Sequence, residues 1–267
     1  MSPRFSGSLA SVDGQVMLAS SATIPATDPG LLRGDGAFEV ARVYDGRTFA
    51  LEEHLKRLER SASNLRLAVD LDAIRTDARR LLSHAGAGPD HELLRIVVTR
   101  GGRRLLLTEP LPEVPDRVRL GTVAYAPTRV LDGVKSLSYG ANVLASRMAR
   151  ERGYDEALLV SPHGRVLEAP TSSIFWVTDG AVMTPPLSDH ILASITRRVV
   201  IDQSGASERA CTLEDLAGAD EAFLASTVRE VQPVAAIDDR SFSSVGPVTE
   251  RLAGEVAARI RSQLDGA

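Results

Sequence analysis

The spacing of hydrophobic residues changes repeatedly along this chain, and this pattern restricts the folds that the chain can adopt. Residues 36–44 are rich in β-branched and aromatic side chains and precede Asp45 and Gly46, which is typical of a strand entering a tight hairpin. Apolar residues then recur every three to four positions over 55–65, which predicts a helix with one buried stripe. Because such strand and helix patterns alternate along the chain, we expect an α+β fold.

A stretch without periodicity predicts a division into two domains. Pro and Gly interrupt residues 126–133, which we interpret as part of a linker over 125–133. The predicted N-terminal α/β layer domain covers 1–124 and the predicted C-terminal domain covers 134–267. The remaining predicted helices are 73–84, 142–152, 191–203 and 248–264, and the remaining predicted strands are 48–51, 93–99, 118–125, 156–160, 165–168, 174–177, 181–183, 221–225 and 234–237.

Composition places the chain among ordinary globular proteins. Its 267 residues are 43% hydrophobic and 25% charged, and no apolar run approaches the roughly 18 residues of a membrane span. The N-terminal stretch lacks the basic start and apolar core of a leader, so we expect a cytoplasmic location. A net charge of −4 with 4% aromatic residues gives no basic surface for nucleic acid. These features favour a small-molecule function.

The sequence lacks the motifs of several common enzyme classes. Cys211 is the only cysteine, and no histidine stands at a metal-ligand spacing from another histidine or from Cys211, so we expect no metal site. The patterns G-x-S-x-G, G-x-x-x-x-G-K-[ST] and G-x-G-x-x-G do not occur. Hydrolase, P-loop and Rossmann interpretations therefore lose their usual support.

Lysine is scarce in this chain, since only Lys56 and Lys135 occur among 31 Lys and Arg residues. A guanidinium stays protonated and cannot attack a carbonyl, so a lysine raises the question of whether an amine is needed. Lys56 stands among charges on the predicted helix, where a solvated face explains it. Lys135 lies in a semi-apolar stretch with no carboxylate within two positions, which makes it the candidate nucleophile.

Several segments, taken in their order along the chain, resemble the class IV (fold-type IV) pyridoxal-phosphate enzymes. That family includes branched-chain and D-amino-acid aminotransferases, (R)-selective amine transaminases and aminodeoxychorismate lyases. The resemblance implies a smaller N-terminal α/β domain, a larger C-terminal domain with a β-barrel-like core, and a homodimer. The segments are 34–42, 54–62, Lys135 with Tyr139, 153–158, 164–168, 184–186, 195–197 and 226–233.

The resemblance implies pyridoxal 5′-phosphate as cofactor and a role for each matching residue. Lys135 would form the Schiff base with the cofactor aldehyde and later move a proton. Glu168 would bond the pyridine nitrogen, and Tyr139 would bond the phenolic oxygen. Ser173 and Ser194 stand where many relatives have Asn and Gly, which affects the fine geometry around the ring. The implied phosphate ligands are the backbone of Ile195 and Thr196, the Thr227 hydroxyl and the Arg57 guanidinium.

The cofactor motifs leave the reaction open between transfer and elimination. Val40 stands where familiar bacterial aminodeoxychorismate lyases carry a threonine, and an aliphatic side chain cannot relay a proton. This favours a transaminase that moves an amino group between an amino acid or amine and a 2-keto acid. A 4-amino-4-deoxychorismate lyase, releasing pyruvate and 4-aminobenzoate, is the alternative, since Thr171 or Ser172 would supply a hydroxyl. A non-catalytic cofactor-binding module is the remote alternative.

The substrate would need a cation for its carboxylate and walls for its side chain. D-amino-acid aminotransferases carry a carboxylate-binding arginine after the strand that corresponds to 93–99, and several arginines occur there. The candidate substrate residues are Arg100, Arg103 and Arg104 after that strand, Arg42 on the strand of Phe38, and the wall residues Phe38, Val40 and Trp176.

Overall fold

The computed structural model describes residues 7–266, which fall mainly into two compact units. The first unit contains the described residues up to Pro112 together with Val134–Tyr139. The second unit contains Glu113–Gly133 and Gly140–Asp265. Within the described residues, no helix has the length and apolar character needed to cross a membrane.

The first unit is built on a six-stranded sheet in the order β2-β1-β6-β5-β3-β4. Each neighbouring pair in this sheet is antiparallel. Its elements in chain order are β1 (Leu9–Val12), β2 (Gln15–Leu18), α1 (Pro29–Arg33), β3 (Gly36–Tyr44), β4 (Arg47–Thr48), α2 (Leu51–Asn64), α3 (Leu71–Ala85), β5 (Leu93–Thr99) and β6 (Arg104–Glu109).

The two faces of β3 have different environments because successive side chains of a strand point to opposite sides. Ala37 and Val43 are buried in one hydrophobic cluster with Leu55 and Leu58 of α2. On the other face, β3 changes from buried at Phe38 to half-buried from Val40 onward. The α2 stripe that the sequence predicts therefore covers one face of β3, and the candidate substrate residues Phe38, Val40 and Arg42 share the other.

The second unit is built on an eight-stranded mixed sheet in the order β11-β10-β9-β12-β13-β7-β8, with β14 paired to β13. The pairs of β13 with β7, β7 with β8 and β10 with β11 are parallel. Its elements are β7 (Val118–Ala124), α4 (Gly140–Glu151), β8 (Glu156–Val160), β9 (Ser173–Thr178), β10 (Ala181–Thr184), α5 (Ile195–Ser204), β11 (Ser207–Glu208), α6 (Leu213–Ala217), β12 (Glu221–Ser226), β13 (Glu230–Ile237), β14 (Arg240–Ser241) and α7 (Pro247–Asp265).

The division between the units differs from the one expected from the sequence. We expected 118–125 to complete the N-terminal domain, but β7 pairs with β8 and β13 in the sheet of the second unit. Val134–Tyr139 groups instead with the first unit, where the Phe38 amide donates to the Lys135 carbonyl at 3.0 Å. Both differences arise from pairing between residues far apart in the chain, which local periodicity does not report.

Local elements agree with the sequence patterns in most places, with three informative differences. The helix expected at 191–203 begins at Ile195, because the Ser194 side chain caps it. The strand expected at 165–168 forms isolated bridges only. Trp176, expected as a pocket wall, is 1% exposed and lies in the hydrophobic core of the second unit.

The C-terminal helix α7 is capped by a side chain from a distant strand. The Glu221 carboxylate accepts the Val248 and Thr249 amides at 3.0 and 2.7 Å and the Thr249 hydroxyl at 2.6 Å. These amides belong to the first helical turn, which has no acceptors of its own, and the negative charge complements the helix dipole. Gly246 permits this approach, because a Cβ there would lie 1.9 Å from the Glu221 carboxyl carbon.

We expect Glu221→Ala to lower the free energy of unfolding by about 2 kcal/mol, because it leaves two buried donors of Thr249 and the part-buried Val248 amide without an acceptor. Glu250→Ala is the matched control, since Glu250 lies in the same first turn but is exposed. It should cost less than about 1 kcal/mol. Urea denaturation measures both values, and equal losses would show that the cap does not stabilise α7.

Candidate active site

Lys135 is held through its main chain by two elements of the first unit. Its amide donates to the Ser61 hydroxyl of α2 at 3.1 Å, and its carbonyl accepts the Phe38 amide of β3 at 3.0 Å. Ser136, the next residue, forms an isolated bridge with Ala37 of the same strand. The backbone that carries the amine is thus fixed to both β3 and α2.

The Lys135 amine lies against two aromatic rings. Its Nζ is 4.4 Å from the centre of the Phe38 ring and 5.8 Å from that of the Tyr139 ring. The two rings meet edge to face with their centres 5.4 Å apart. The structure therefore brings together three residues that the sequence singled out, and an amine over aromatic faces is held by cation–π attraction.

A buried ion pair lies on the opposite face of β3. The Glu39 side chain is fully buried, and both its oxygens accept from the Arg57 guanidinium, at 2.7 Å from Nε and 2.7 Å from Nη2. Burial alone would raise the pKa of Glu39, but the hydrogen bonds and charge of Arg57, with those of His54, lower it to about 2. Glu39 is consequently a carboxylate at neutral pH.

His54 completes this cluster as a neutral donor. Burial lowers the pKa of His54, and the positive charges of Arg57 and Lys135 lower it further, against the opposing effect of Glu39. Its Nδ1 lies 2.8 Å from Glu39 Oε2, and an ionised carboxylate only accepts hydrogen bonds. The proton of the neutral ring therefore resides on Nδ1 and is donated to Glu39.

Helical spacing explains why one helix performs all these tasks. His54, Arg57 and Ser61 are separated by three and four positions, so they share one face of α2. Two of them bind Glu39, and the third binds the Lys135 amide. The candidate phosphate ligand Arg57 and the candidate nucleophile Lys135 are thus positioned by the same helix face.

An arginine that the sequence did not point to lies on the neighbouring strand β5, beside the half-buried face of β3. Arg95 of β5 pairs in register with Val40, and its guanidinium lies 5.7 Å from the centre of the Phe38 ring. It also binds Glu109 at 2.5 and 2.9 Å. The available signal was that Arg95 occupies one face of an otherwise apolar strand.

The other candidate arginines contact an aromatic ring or carboxylates of the first unit. The Arg42 guanidinium lies 4.8 Å from the centre of the Tyr44 ring. The three arginines after β5 each bind a carboxylate within the first unit, and their role toward a substrate stays a prediction. These pairs are Arg100 with Asp35 at 2.9 Å, Arg103 with Asp13 at 2.7 Å and Arg104 with Asp77 at 3.1 Å.

In the second unit, Glu168 is bound by the backbone of another loop. Its carboxylate oxygens lie 3.2 and 3.3 Å from the Leu192 amide, which donates to them. Tyr125 is close enough to respond to this charge, since burial and then the Glu168 carboxylate raise the pKa of the phenol. Glu168 thus presents a negative charge fixed to the segment that leads into α5.

The first turn of α5 provides oriented N–H donors. The Ser194 hydroxyl accepts the Arg197 amide at 3.2 Å and so caps the helix. The amides of Ile195 and Thr196 precede it in the first turn, where a helix offers no intrahelical acceptor. This end of a helix favours an anion such as a phosphate.

The loop after Glu168 and the turn that carries Thr227 lie at one end of the β9–β12 pair. Ser173, the first residue of β9, pairs with Ala225, two positions before Thr227. In the part of the chain that the structure describes, the hydroxyls of Ser172 and Ser173 are buried without a hydrogen-bond partner. Such groups cost about 1–3 kcal/mol unless something satisfies them, so this loop is suited to a polar ligand.

Each unit, taken by itself, contains groups whose chemistry suits pyridoxal phosphate. The first unit contains an amine in Lys135 and a guanidinium in Arg57, which suit an aldehyde and a phosphate. The second contains a carboxylate in Glu168 and the helix N–H groups of Ile195 and Thr196, which suit a pyridine nitrogen and a phosphate. A set with one amine, one carboxylate and anion donors matches the three polar ends of this cofactor.

The fold and the donor set together define a fold-type IV pyridoxal-phosphate enzyme. Residues 36–237 match the family described as Amino-transferase class IV, and the chain belongs to that family. The family resemblance, the α+β fold class, the cofactor and the PLP-dependent aminotransferase activity inferred from the sequence are thereby confirmed.

The chain is similar to several named proteins over most of its length. It is 36% identical to a putative branched-chain-amino-acid aminotransferase of Methanocaldococcus jannaschii, over 90% of this chain and 92% of that protein. It is 29% identical to a D-alanine aminotransferase of Bacillus licheniformis, over 90% and 93%.

Two solved structures extend the comparison. A hypothetical aminotransferase from Mycobacterium tuberculosis in its PLP-bound form superposes with a TM-score of 0.87 at 27% identity, over 96% of this chain and 100% of that one. A 4-amino-4-deoxychorismate lyase from Pseudomonas aeruginosa superposes with a TM-score of 0.80 at 29% identity, over 94% and 98%. Transaminases and a lyase are both among the similar proteins.

We expect Glu39→Gln to lower the free energy of unfolding at pH 7 by about 3 kcal/mol, because it leaves the buried Arg57 charge without its counter-ion. The depressed pKa of Glu39 stabilises the fold above the pKa of the unfolded carboxyl, and this contribution disappears as the pH falls toward 2. Urea denaturation should therefore show a difference between wild type and variant that shrinks from pH 7 to pH 3.

Glu59→Gln is the control for this measurement, because Glu59 lies on α2 in an exposed position. Its difference from wild type should be within about 0.5 kcal/mol at both pH values. A loss for Glu39→Gln that stays constant with pH would contradict the ionised state of Glu39.

Proposed function

We propose that the chain is a transaminase that uses Lys135 to move an amino group between an amino acid and a 2-keto acid. The observation that carries this proposal is the position of Lys135, whose backbone is fixed to β3 and α2 and whose Nζ lies 4.4 Å from the centre of the Phe38 ring. A fixed backbone limits the positions that the amine can reach, as a proton shuttle between two carbon atoms requires.

The chain's own residues divide the task of holding the cofactor and moving the proton. When bound, pyridoxal phosphate supplies an aldehyde that condenses with amines and a ring that accepts an electron pair from the α-carbon. Lys135 removes the α-proton and returns it at the aldehyde carbon. Glu168 keeps the ring nitrogen protonated by its negative charge, and Tyr139 donates to the phenolic oxygen.

The phosphate is assigned to donors that other residues of the chain hold in place. Arg57 is held by Glu39, and the first turn of α5 is held by the Ser194 cap, so these donors need no reordering on binding. Ile195 and Thr196 contribute amides and Thr227 contributes a hydroxyl. Such preorganised donors hold an anion with little entropic cost.

We propose an aliphatic amino acid, of the branched-chain type, as the amino donor. The similar protein from Methanocaldococcus jannaschii carries that name, and the half-buried face of β3 offers Phe38 and Val40 as apolar walls. Arg95, beside Phe38 and opposite Val40, is a cation on this face for a carboxylate, and Arg42 lies on the same face of β3. D-alanine is the competing donor, since the Bacillus licheniformis protein is named for it.

An aminodeoxychorismate lyase is the second candidate function, and one observation favours it. The Ser172 hydroxyl is buried without a partner within the described residues, close in sequence to Glu168. Elimination benefits from a hydroxyl that relays a proton to the leaving oxygen, and Val40 has no hydroxyl. The similarity to the Pseudomonas aeruginosa lyase supports the same candidate.

The proposal also includes a homodimer in the cytoplasm. The resemblance to class IV aminotransferases supports both the dimer and the location. Neither affects the assignment of Lys135, which depends on contacts within one chain.

We expect borohydride reduction of the yellow wild-type protein to attach one pyridoxyl group to the peptide that contains Lys135. Lys135→Ala should lose both the attached group and all measurable turnover, because the amine is the nucleophile. Lys56→Ala is a matched control, since it removes the only other lysine, which is exposed on α2. Peptide mass spectrometry makes the assignment, and a pyridoxyl group found elsewhere in Lys135→Ala would refute it.

We expect the wild type to convert branched-chain amino acids with 2-oxoglutarate, and to release pyruvate from aminodeoxychorismate at less than about a tenth of that rate. Val40→Thr should raise pyruvate release about tenfold or more, because a hydroxyl near the leaving oxygen contributes general acid catalysis. A coupled pyruvate assay measures this, with Ser172→Ala as the companion variant. Rapid lyase turnover that Ser172→Ala abolishes would establish the second candidate instead.

A further inference from the structure

A three-residue turn carries Thr227 between β12 and β13. Ser226 pairs in register with Glu230, so Thr227, Val228 and Arg229 form the whole turn. The Arg229 amide donates to the Ser226 hydroxyl at 3.2 Å, and Glu230 adopts a left-handed conformation with φ 53°. A non-glycine residue in that conformation costs energy, so the surrounding structure must hold the turn in place.

The Arg229 side chain connects this turn to three other parts of the second unit. Its guanidinium, 10% exposed, donates to the Glu156 carboxylate at the start of β8 at 3.2 Å and to the Gln232 side chain of β13. Glu156 also accepts the Ser146 hydroxyl of α4 at 2.6 Å. We call Arg229, Glu156, Gln232 and Ser146 the Arg229 cluster.

The cluster continues to the segment that leads into β7. The Gln232 amide donates to the Pro115 carbonyl, and Glu156 accepts the Ala157 amide at 3.0 Å in addition to its other partners. Thus the turn, α4, β8 and the approach to β7 are joined through one guanidinium. A displacement of the turn would break several part-buried hydrogen bonds at once.

Stability alone does not account for a buried ion pair at this position. Removing two charges from water costs about as much as their attraction returns, and apolar residues of similar volume often stabilise a fold equally well. What a buried, forked pair provides is a defined geometry, since a guanidinium binds a carboxylate and an amide only in certain orientations. The nearby group that benefits from a defined position is the Thr227 hydroxyl, two residues away.

We propose that Arg229 is a positioning residue that fixes the Thr227 hydroxyl for the cofactor phosphate through the backbone of the β12–β13 turn. This inference rests on the proposed assignment of Thr227. Arg229 itself does not need to touch the phosphate, because Glu156 and Gln232 already accept from its guanidinium. The Arg229 cluster therefore affects the binding of the phosphate end and not of the pyridine ring.

The test compares two ligands that differ only in the phosphate. Apoenzyme is titrated with pyridoxal 5′-phosphate and with pyridoxal, and the two dissociation constants are taken from absorbance. Arg229→Met keeps the length of the side chain and removes its donors. We expect it to weaken pyridoxal phosphate about tenfold while changing pyridoxal less than twofold. Arg229→Lys, which retains the charge but not the fork, should be intermediate.

Two further variants connect the effect to Thr227. Thr227→Ala should likewise weaken the binding of pyridoxal phosphate more than that of pyridoxal. The double variant Thr227→Ala with Arg229→Met should bind pyridoxal phosphate only slightly more weakly than Thr227→Ala alone. Such non-additivity is the signature of residues that act as a unit. Glu156→Gln removes the charge on β8 that Arg229 binds. It should also weaken pyridoxal phosphate more than pyridoxal, so the inference is tested even if Arg229→Met fails to fold.

Glu221→Ala is the control for general destabilisation, and it should leave the ratio of the two dissociation constants unchanged. Equal weakening of both ligands by Arg229→Met and Glu156→Gln, no weakening at all, or full additivity with Thr227→Ala would overturn the positioning role. If Thr227→Ala alone leaves the ratio unchanged while the wild type binds the cofactor tightly, the assignment of Thr227 fails instead, and the role of Arg229 fails with it.

Discussion

The ion pair between the buried Glu39 carboxylate and Arg57 is the interaction on which the candidate site of the first unit depends. An isolated ion at that depth would be expelled or protonated, and the guanidinium of Arg57 with the Nδ1 proton of His54 prevents both. Because the acid belongs to β3 and its partners to α2, the pair fixes the helix against the strand. Ser61 on the same helix face then holds the backbone of Lys135. One desolvated charge thus fixes the helix face that positions the amine and the candidate phosphate ligand Arg57.

In the second unit, several individually weaker hydrogen bonds hold the loops and helix ends in place. Glu168 is held by a backbone amide, α5 begins at a serine cap, and Glu221 caps α7 from a neighbouring strand. Here loops and helix ends are fixed mainly by acceptors that satisfy backbone donors. The exception is the Arg229 cluster, in which a charged side chain controls the position of a turn.

Local patterns in the sequence predict the helices and strands well, but they do not predict which strands pair or which side chains meet. The β-branched and aromatic residues of 36–44, followed by a turn at Asp45 and Gly46, predict β3 to the residue, and the scarcity of lysine points to Lys135. Neither the pairing of Glu39 with Arg57 nor the place of Arg95 beside Phe38 could be predicted, because each joins residues many positions apart in the chain. β7 was assigned to the wrong sheet for the same reason, since a strand pattern does not name its neighbour.

The six residues Val134–Tyr139 belong to the first unit although the chain on both sides of them belongs to the second. An uninterrupted stretch of the gene that encodes the first unit complete with its lysine therefore also encodes residues 113–133 of the second unit. A recombination event with a single breakpoint after residue 112 would transfer β3 and α2 without the segment that they hold. The amine and the surfaces that fix it are consequently inherited together only when the breakpoint lies beyond Tyr139, which restricts how such a chain can diversify by exchange of modules.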